Sequence, residues 1–247
     1  MSVKKVLVIR FRRIGDAVLS VVICSSIRKS FPEAEIHYVL NDHIAPLFEN
    51  HPDIDKIITF SDEENNHFFK YLRKVRQLMK TERYDVIIDT RATIKTLWFS
   101  AFSLRTKYRI GTSKFYNHFF HNYRVRNHVN DDLDEVVRNL LLLRPLERER
   151  KLIMTTDFRL YVTEQETAEF KSYMEQKGIN FSRFIVVCTP FTRVAGKAWD
   201  MAKMKEILSR IIQRYGAQLI FNYSRIEKEA ALALYEDMGK DEHIFID

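Results

Sequence analysis

Near the start of this chain the residues best able to do chemistry lie in RFRRIGDAVLS, residues 10–20. There Arg10, Arg12 and Arg13 precede a single carboxylate, Asp16, beside Gly15. The stretch follows KVLVIR at residues 5–10, an apolar run that predicts a buried strand, and leads into a predicted helix over about 17–29. Gly15-Asp16 therefore falls at the carboxyl end of a strand, where open α/β sheets bind their ligands. Two readings of Asp16 stand side by side. In one it caps the helix, its carboxylate accepting backbone N–H groups; this leaves the three arginines unexplained. In the other the cations keep the carboxylate ionised and hold an anionic ligand beside it. An ionised carboxylate against a bound hydroxyl can act as a general base.

A second polar loop, TPFTRVAGKAWD at residues 189–200, again joins a predicted strand to a predicted helix. Gly196-Lys197 suggests a phosphate-binding P-loop, but Phe191 stands at the first required glycine and Ala198 at the required Ser/Thr, so that motif is excluded. Thr189, Thr192, Arg193 and Lys197 ahead of a helix N-terminus still make a physically reasonable diphosphate site. An ordinary solvated loop anchored by Trp199 is the alternative. At the end of another strand, DTRATIKT (89–96) offers Arg91 and Lys95, either as further anion ligands or as a solvated helix start. His118, His121 and His128 gather in an aromatic-rich segment with no HExxH and no nearby cysteine, so packing or surface roles are expected, and no metal site. Tyr71, Arg73, Lys74 and Arg76 read as a solvated basic helix face.

The frame that positions these loops is a repeated strand–helix alternation. Residues 1–150 predict strands at 5–10, 35–40, 57–60, 84–89 and 107–110, and helices at about 17–29, 63–79, 93–102 and 133–143. Continuous apolar strands between amphipathic helices mean a parallel sheet covered on both faces. Residues 151–163, charged at their start and without helical period, read as a linker. The alternation resumes over 164–247, with helices at 164–176, 200–215 and 227–238 and strands at 184–188, 217–222 and 243–247. The expected class is α/β, two Rossmann-like doubly wound domains, the second ending on its third strand and so incomplete.

With 46% hydrophobic residues among 247, the chain can bury a substantial core. No stretch approaches the roughly 18 apolar residues of a membrane span, and the N-terminal apolar run is too short for a signal peptide; the cytoplasm is the expected compartment. Cys24 and Cys188 stand isolated, which argues against a disulfide framework or a zinc site. Charge is unevenly divided. Residues 1–150 hold 26 Lys/Arg against 19 Asp/Glu, and residues 151–247 hold 14 of each. The basic excess of the first part calls for an acidic partner: nucleic acid, an anionic membrane surface or a phosphorylated substrate. No recognisable nucleic-acid motif accompanies it, so nucleic acid is not the expected partner.

Taken together, KVLVIRFRRIGDAVLS, IRKSFPEAEIHYVLN, HPDIDKII, YDVIIDTRATIKT with YRIG after it, and the 192–199 segment with its KAW resemble, in this order, the family 9 glycosyltransferases, bacterial heptosyltransferases of lipopolysaccharide core assembly. The resemblance implies a GT-B frame of two Rossmann-like domains, acceptor on the N-terminal side and nucleotide sugar on the C-terminal side. It makes Asp16 the base for an inverting attack and Lys197 the lysine that stabilises the leaving diphosphate. Thr192 and Arg193 fall to the donor phosphates and Glu227 to the donor nucleoside. Arg10, Arg12, Arg13 and Arg91 remain for an anionic lipid-linked acceptor. No metal or cofactor is implied beyond the substrate, ADP-heptose, and a peripheral position on the cytoplasmic side of the inner membrane follows.

Departures from the family pattern are equally visible. Val22 stands where proline is frequent, NYSRIE replaces a glycine-rich turn, and a DSGxxH-type donor motif has no counterpart before residue 247. They leave an alternative reading, a non-catalytic relative or fragment that binds an anionic glycolipid without a complete donor site.

Overall fold

In the computed structural model the described residues are 3–126, 132–192 and 195–246, and the chain divides into two compact units, Met1–Val162 and Thr163–Asp247. The first unit contains strands β1 (Lys5–Ile9), β2 (Glu35–Asn41), β3 (Lys56–Phe60), β4 (Val86–Asp89), β5 (Tyr108–Thr112) and β6 (Tyr123–Val125). Its helices are α1 (Ile14–Ser30), α2 (Asp62–Asn66), α3 (Phe68–Glu82), α4 (Leu97–Ala101) and α5 (Glu135–Leu141). The six strands form one parallel sheet in the order β3-β2-β1-β4-β5-β6.

Consecutive strand residues point to opposite faces. Val6 and Val8 accordingly join Ile36, Tyr38 and Ile88 beneath α1 and α5, while Leu7 and Ile9 join Val39, Phe60 and Ile87 beneath α3 and α4. Both faces of β1 are therefore covered, which is why its sequence is apolar without alternation. Full burial of each such side chain stabilises the fold by about 1.5–3 kcal/mol.

The polar residues of α1 are equally accounted for. Ser20 Oγ hydrogen-bonds the Tyr38 hydroxyl at 2.8 Å, and Ser25 Oγ donates to Asp53 at 2.6 Å. Ser30 and Ser26 accept from the backbone N–H groups of Ile153 (2.8 Å) and Thr155 (3.0 Å). The segment expected as a linker thus runs along α1, and Tyr161 packs edge-on against His51 at 5.0 Å.

Five local differences from the sequence expectations stand out. Helix α1 starts at Ile14, three residues early. The helix expected over 63–79 is broken at His67, whose extended backbone (φ −99°, ψ 102°) ends a short α2, opened by a Ser61–Glu64 capping box, before α3 begins. Thr93 and Thr96 hydrogen-bond each other's backbone N–H groups and hold residues 93–96 as a loop, so α4 spans only Leu97–Ala101. Tyr71 does not belong to a basic face: with Val75 and Met79 it forms the buried stripe of α3, leaving Arg73 and Arg76 outside. Strand β6, three residues long, was not anticipated.

The second unit contains α6 (Glu164–Gln176), β7 (Ile185–Cys188), α7 (Met201–Tyr215), β8 (Gln218–Phe221), α8 (Lys228–Asp237) and β9 (Ile244–Phe245). Its strands are parallel in the order β7-β8-β9. Thr163 and Asp200 cap α6 and α7 through their side chains, and Gly216 ends α7 at φ 57°, a left-handed conformation that suits glycine. Leu208, Ile212, Leu219, Phe221, Leu234 and Ile244 form its core.

Candidate active site

In the first sheet β1 leads away through β2 and β3, and its other neighbour β4 leads away through β5 and β6. The adjacent carboxyl ends of β1 and β4 are thus the topological switch point, where a crevice opens for ligands. Arg10 follows β1, Asp16 lies in the first turn of α1, and Thr90 and Arg91 follow β4.

Asp16 is not the cap of α1. Arg13 occupies that position without a side-chain hydrogen bond, and Asp16 sits in the first turn, where the helix dipole favours a negative charge. Its Oδ2 is 2.8 Å from Arg10 Nη2, with the Asp16 side chain 33% exposed and that of Arg10 only 5%. The same Nη2 is 3.6 Å from Glu135 Oε1 at the start of α5, and Arg10 Nη1 donates to Thr90 Oγ1 at 3.3 Å. Arg10 Nε is buried without a hydrogen-bond partner. Arg10, expected among the acceptor ligands, is therefore a buried residue that holds Asp16, and only Arg12 and Arg13 of the three arginines are exposed.

Behind this pair lies Asp89, fully buried at the end of β4. Its Oδ1 accepts the backbone N–H groups of Ala92 (2.8 Å) and Arg91 (3.2 Å), which fixes the turn carrying Arg91. Its Oδ2 faces Nε2 of buried His121 at 3.8 Å, and neither atom has a hydrogen-bond partner. Asn117 sets the imidazole tautomer. Its amide nitrogen donates to the Thr112 carbonyl at 2.8 Å and lies 3.1 Å from His121 Nδ1. Nδ1 is then the acceptor, and a neutral His121 carries its proton on Nε2, toward Asp89. Burial pushes the Asp89 carboxyl up to about 6, opposed by its hydrogen bonds and by Arg10. Burial, aided by Arg109, lowers His121 to about 4. Gly111 makes room for the imidazole: a Cβ there would lie 2.4 Å from two of its ring atoms.

Arg12, Arg13 and Arg91 are exposed, and among the described residues none has an acidic partner. Lys95 is less available. Its Nζ donates to the Asn65 carbonyl at 2.6 Å and lies over the Tyr71 ring, and burial, reinforced by Arg12, lowers its pKa.

In the second unit, Lys197 closes a short 3-10 turn, Ala195–Lys197, between β7 and α7 and is exposed. Thr192 is exposed on the same loop, whereas Arg193 lies outside the described residues. Trp199 is 48% exposed and so is not the buried anchor considered from sequence. Glu227, after β8, is engaged locally: its Oε2 accepts from Ser224 N at 2.8 Å and Ser224 Oγ at 2.6 Å in a capping box. The sequence reading missed Glu135, Thr90, and the roles of Asp89 and His121. Of these, Glu135 had a local signal as an acidic residue in the first turn of a capped helix, and Asp89 and Thr90 had one as polar residues at the end of a strand; the role of His121 had none.

His118 is exposed and His128 lies outside the described residues. Among the described residues Glu35, His37 and Glu82 have ligand atoms close enough to share a cation. The Lys5 ammonium already pairs with two of these three groups, Glu35 at 3.0 Å and Glu82 at 2.5 Å.

Two α/β units, each built on a parallel sheet with polar loops at its strand carboxyl ends, are the elements of a GT-B-type glycosyltransferase. The sequence profile of glycosyltransferase family 9 (heptosyltransferase) matches residues 72–240, and the chain belongs to that family. It is 26% identical over 216 residues to lipopolysaccharide heptosyltransferase 3 of Escherichia coli K12, covering 83% of this chain and 59% of that protein. It superposes on a family 9 glycosyltransferase from Veillonella parvula with a TM-score of 0.80 at 17% identity, over 96% of this chain and 68% of that one. The E. coli ADP-heptose lipopolysaccharide heptosyltransferase II gives 0.72 at 20% identity, over 94% and 68%. At these identities the structural matches speak for the fold.

Proposed function

We propose that this family 9 chain moves a heptose from ADP-heptose to an anionic, lipid-linked acceptor of the lipopolysaccharide type, with inversion and without a metal ion. Asp16 takes the proton from the acceptor hydroxyl as that oxygen bonds to the anomeric carbon. The carbon–oxygen bond to the diphosphate breaks from the opposite side, and the electron pair leaves on ADP. Lys197 and Thr192, with Arg193, offset the charge that builds on the diphosphate, a role a cation would otherwise fill. Glu227 contacts the nucleoside in this reading, which requires its Ser224 hydrogen bonds to exchange. Arg12, Arg13 and Arg91 bind the acceptor's anionic groups. The protein then works in the cytoplasm, peripheral to the inner membrane; among the described residues no helix is long and apolar enough to cross a membrane.

The observation that carries this reading is Asp16, held by buried Arg10 at the switch point of a family 9 sheet. The proposed donor follows that of the E. coli ADP-heptose lipopolysaccharide heptosyltransferase II. Because the chain spans 59% of the length of E. coli heptosyltransferase 3, direct assay is the appropriate test. Calorimetric titration with ADP-heptose and transfer of labelled heptose to heptose-deficient lipopolysaccharide should both succeed. Glycolipid binding without saturable binding of ADP or ADP-heptose would establish the non-catalytic alternative instead.

A further inference from the structure

The carboxyl edge of the first sheet carries an apolar corner that the reaction above does not use. Phe68 and Phe69 open α3 at 54% and 84% exposure, and Ile94 in the β4–α4 loop is 70% exposed. The Phe68 ring lies edge-on to Trp98 of α4 at 6.2 Å, and Lys95, next to Ile94, is tied to Asn65, so the two helix starts form one surface. Phe69 lies off the stripe of Tyr71, Val75 and Met79 that α3 buries, and Phe68, at the exposed first turn of that stripe, touches Trp98 but stays half exposed. Clustered exposed apolar groups of this size mark interaction sites.

The charges around the corner indicate what covers it. Arg73 and Arg76 project from the exposed face of α3, and Arg12 and Arg91 stand on the neighbouring strand-end loops. Among the described residues none of the four has an acidic partner. Of the three acids on α2, Glu63 pairs with Lys70 and Glu64 with Lys74, leaving Asp62, among the described residues, as the one exposed carboxylate there without an ion pair, against four guanidinium groups. Exposed aromatics belted by free guanidinium groups match a bilayer interface, where rings enter the headgroup boundary and cations meet lipid phosphates.

We propose that this corner docks on an anionic lipid bilayer, with Phe68, Phe69 and Ile94 entering the interface and Arg73 and Arg76 on lipid phosphates. The purpose of such docking, bringing the switch point to a lipid-borne acceptor, rests on the function proposed above; the docking itself does not.

The test compares vesicles of equal parts phosphatidylglycerol and phosphatidylcholine with pure phosphatidylcholine, by co-sedimentation at low and high salt. Binding is expected to the anionic vesicles only and to be lost at high salt. The Phe68→Ser/Phe69→Ser double variant should bind them roughly tenfold or more weakly, the scale of withdrawing two rings from the interface, with an unchanged melting temperature. In a Trp199→Phe background Trp98 is the only tryptophan, and brominated lipid should quench it. Wild-type affinity in the double variant would overturn the proposal. So would co-sedimentation without Trp98 quenching, or lipid-free self-association abolished by the double variant, which would assign the corner to a second copy. ADP binding on the same samples keeps the readings apart: its absence beside intact vesicle binding strikes the donor assignment and supports the docking surface.

Discussion

Arg10 Nη2 lies 2.8 Å from Asp16 Oδ2, so a nearly buried cation grips a carboxylate that is one-third open to solvent at the topological switch point of the sheet. The exposed portion of Asp16 is what a substrate hydroxyl would meet. The buried portion is fixed by a guanidinium that is itself fixed by Thr90 and Glu135. Orientation of the proposed base therefore comes from three chain segments, β1, β4 and α5, that meet only in the folded sheet.

Replacing Asp16 by Asn keeps the shape and an oxygen that can accept from Arg10, but removes the group that takes the proton. Transfer should fall by ~10²–10⁴-fold, the usual contribution of a general base. The melting temperature and ADP affinity should stay close to wild type. Undiminished turnover under saturating substrate would rule out the assignment.

Arg10→Met should do two things at once. It removes the partner of Asp16 and Glu135, and stability should drop by about 1–3 kcal/mol, below the full range for buried pairs because Asp16 is partly solvated. It also frees the Asp16 side chain, so kcat should fall more than substrate affinity. Urea denaturation reads the first effect and steady-state kinetics the second. Arg10→Lys should recover stability better than turnover, since an ammonium cannot reproduce the two-pronged reach to Asp16 and Thr90.

Much of this arrangement is visible in the sequence, for a definite reason. A strand buried on both faces must be apolar throughout, so β1 and β4 announce themselves, and the polar residues just beyond them must lie at the carboxyl edge of the sheet. Asp16 and Arg91 are found in that way. The division of labour among Arg10, Arg12 and Arg13 is not legible, because three arginines in four residues look alike until the fold buries one. The same holds for His121. Its partner Asp89 is 32 positions away, and the glycine that admits its ring, Gly111, reads as the end of a strand. Strand β6 escaped notice because three half-buried residues carry too little periodicity, and the break at His67 because the apolar spacing continues through it.

Gly111 and His121 should behave as a coupled pair. A methyl group at Gly111 would collide with the imidazole, so Gly111→Ala should cost about 1–3 kcal/mol, as overpacking does. With His121→Ala the space reopens, and the double variant should be more stable than the two single losses predict. A denaturant-based double-mutant cycle measures the difference; strict additivity would mean that the glycine serves some other purpose.

Lys197 is exposed on a loop and, among the described residues, has no acidic partner, so its removal should leave the fold intact. If its ammonium meets the departing diphosphate, charge on that group grows in the transition state and Lys197→Ala should reduce kcat as well as donor affinity. Weaker donor affinity at constant kcat would mean uniform binding, and the residue would then count as a donor ligand without a part in the chemical step.

The buried Asp89–His121 contact gives the fold two opposing responses to pH. Asp89 rises from its ordinary 3.8 to about 6, so between those values the folded state keeps a proton that the unfolded chain has released. Its contribution to stability therefore falls as pH rises through that window. His121 drops from 6.5 to about 4, so between about 4 and 6.5 the unfolded chain holds the extra proton, and stability rises with pH. The windows overlap and the slopes oppose, each approaching ~1.4 kcal/mol per pH unit for one proton. Removing one group should uncover the other. Asp89→Asn, which still accepts the Arg91 and Ala92 N–H groups, should lose stability more steeply than wild type as pH is lowered from 6.5 to 4. His121→Asn should instead gain relative to wild type over the same interval. Urea midpoints collected across that range decide the matter: identical pH slopes in the two variants would show that neither group is titrating inside the fold.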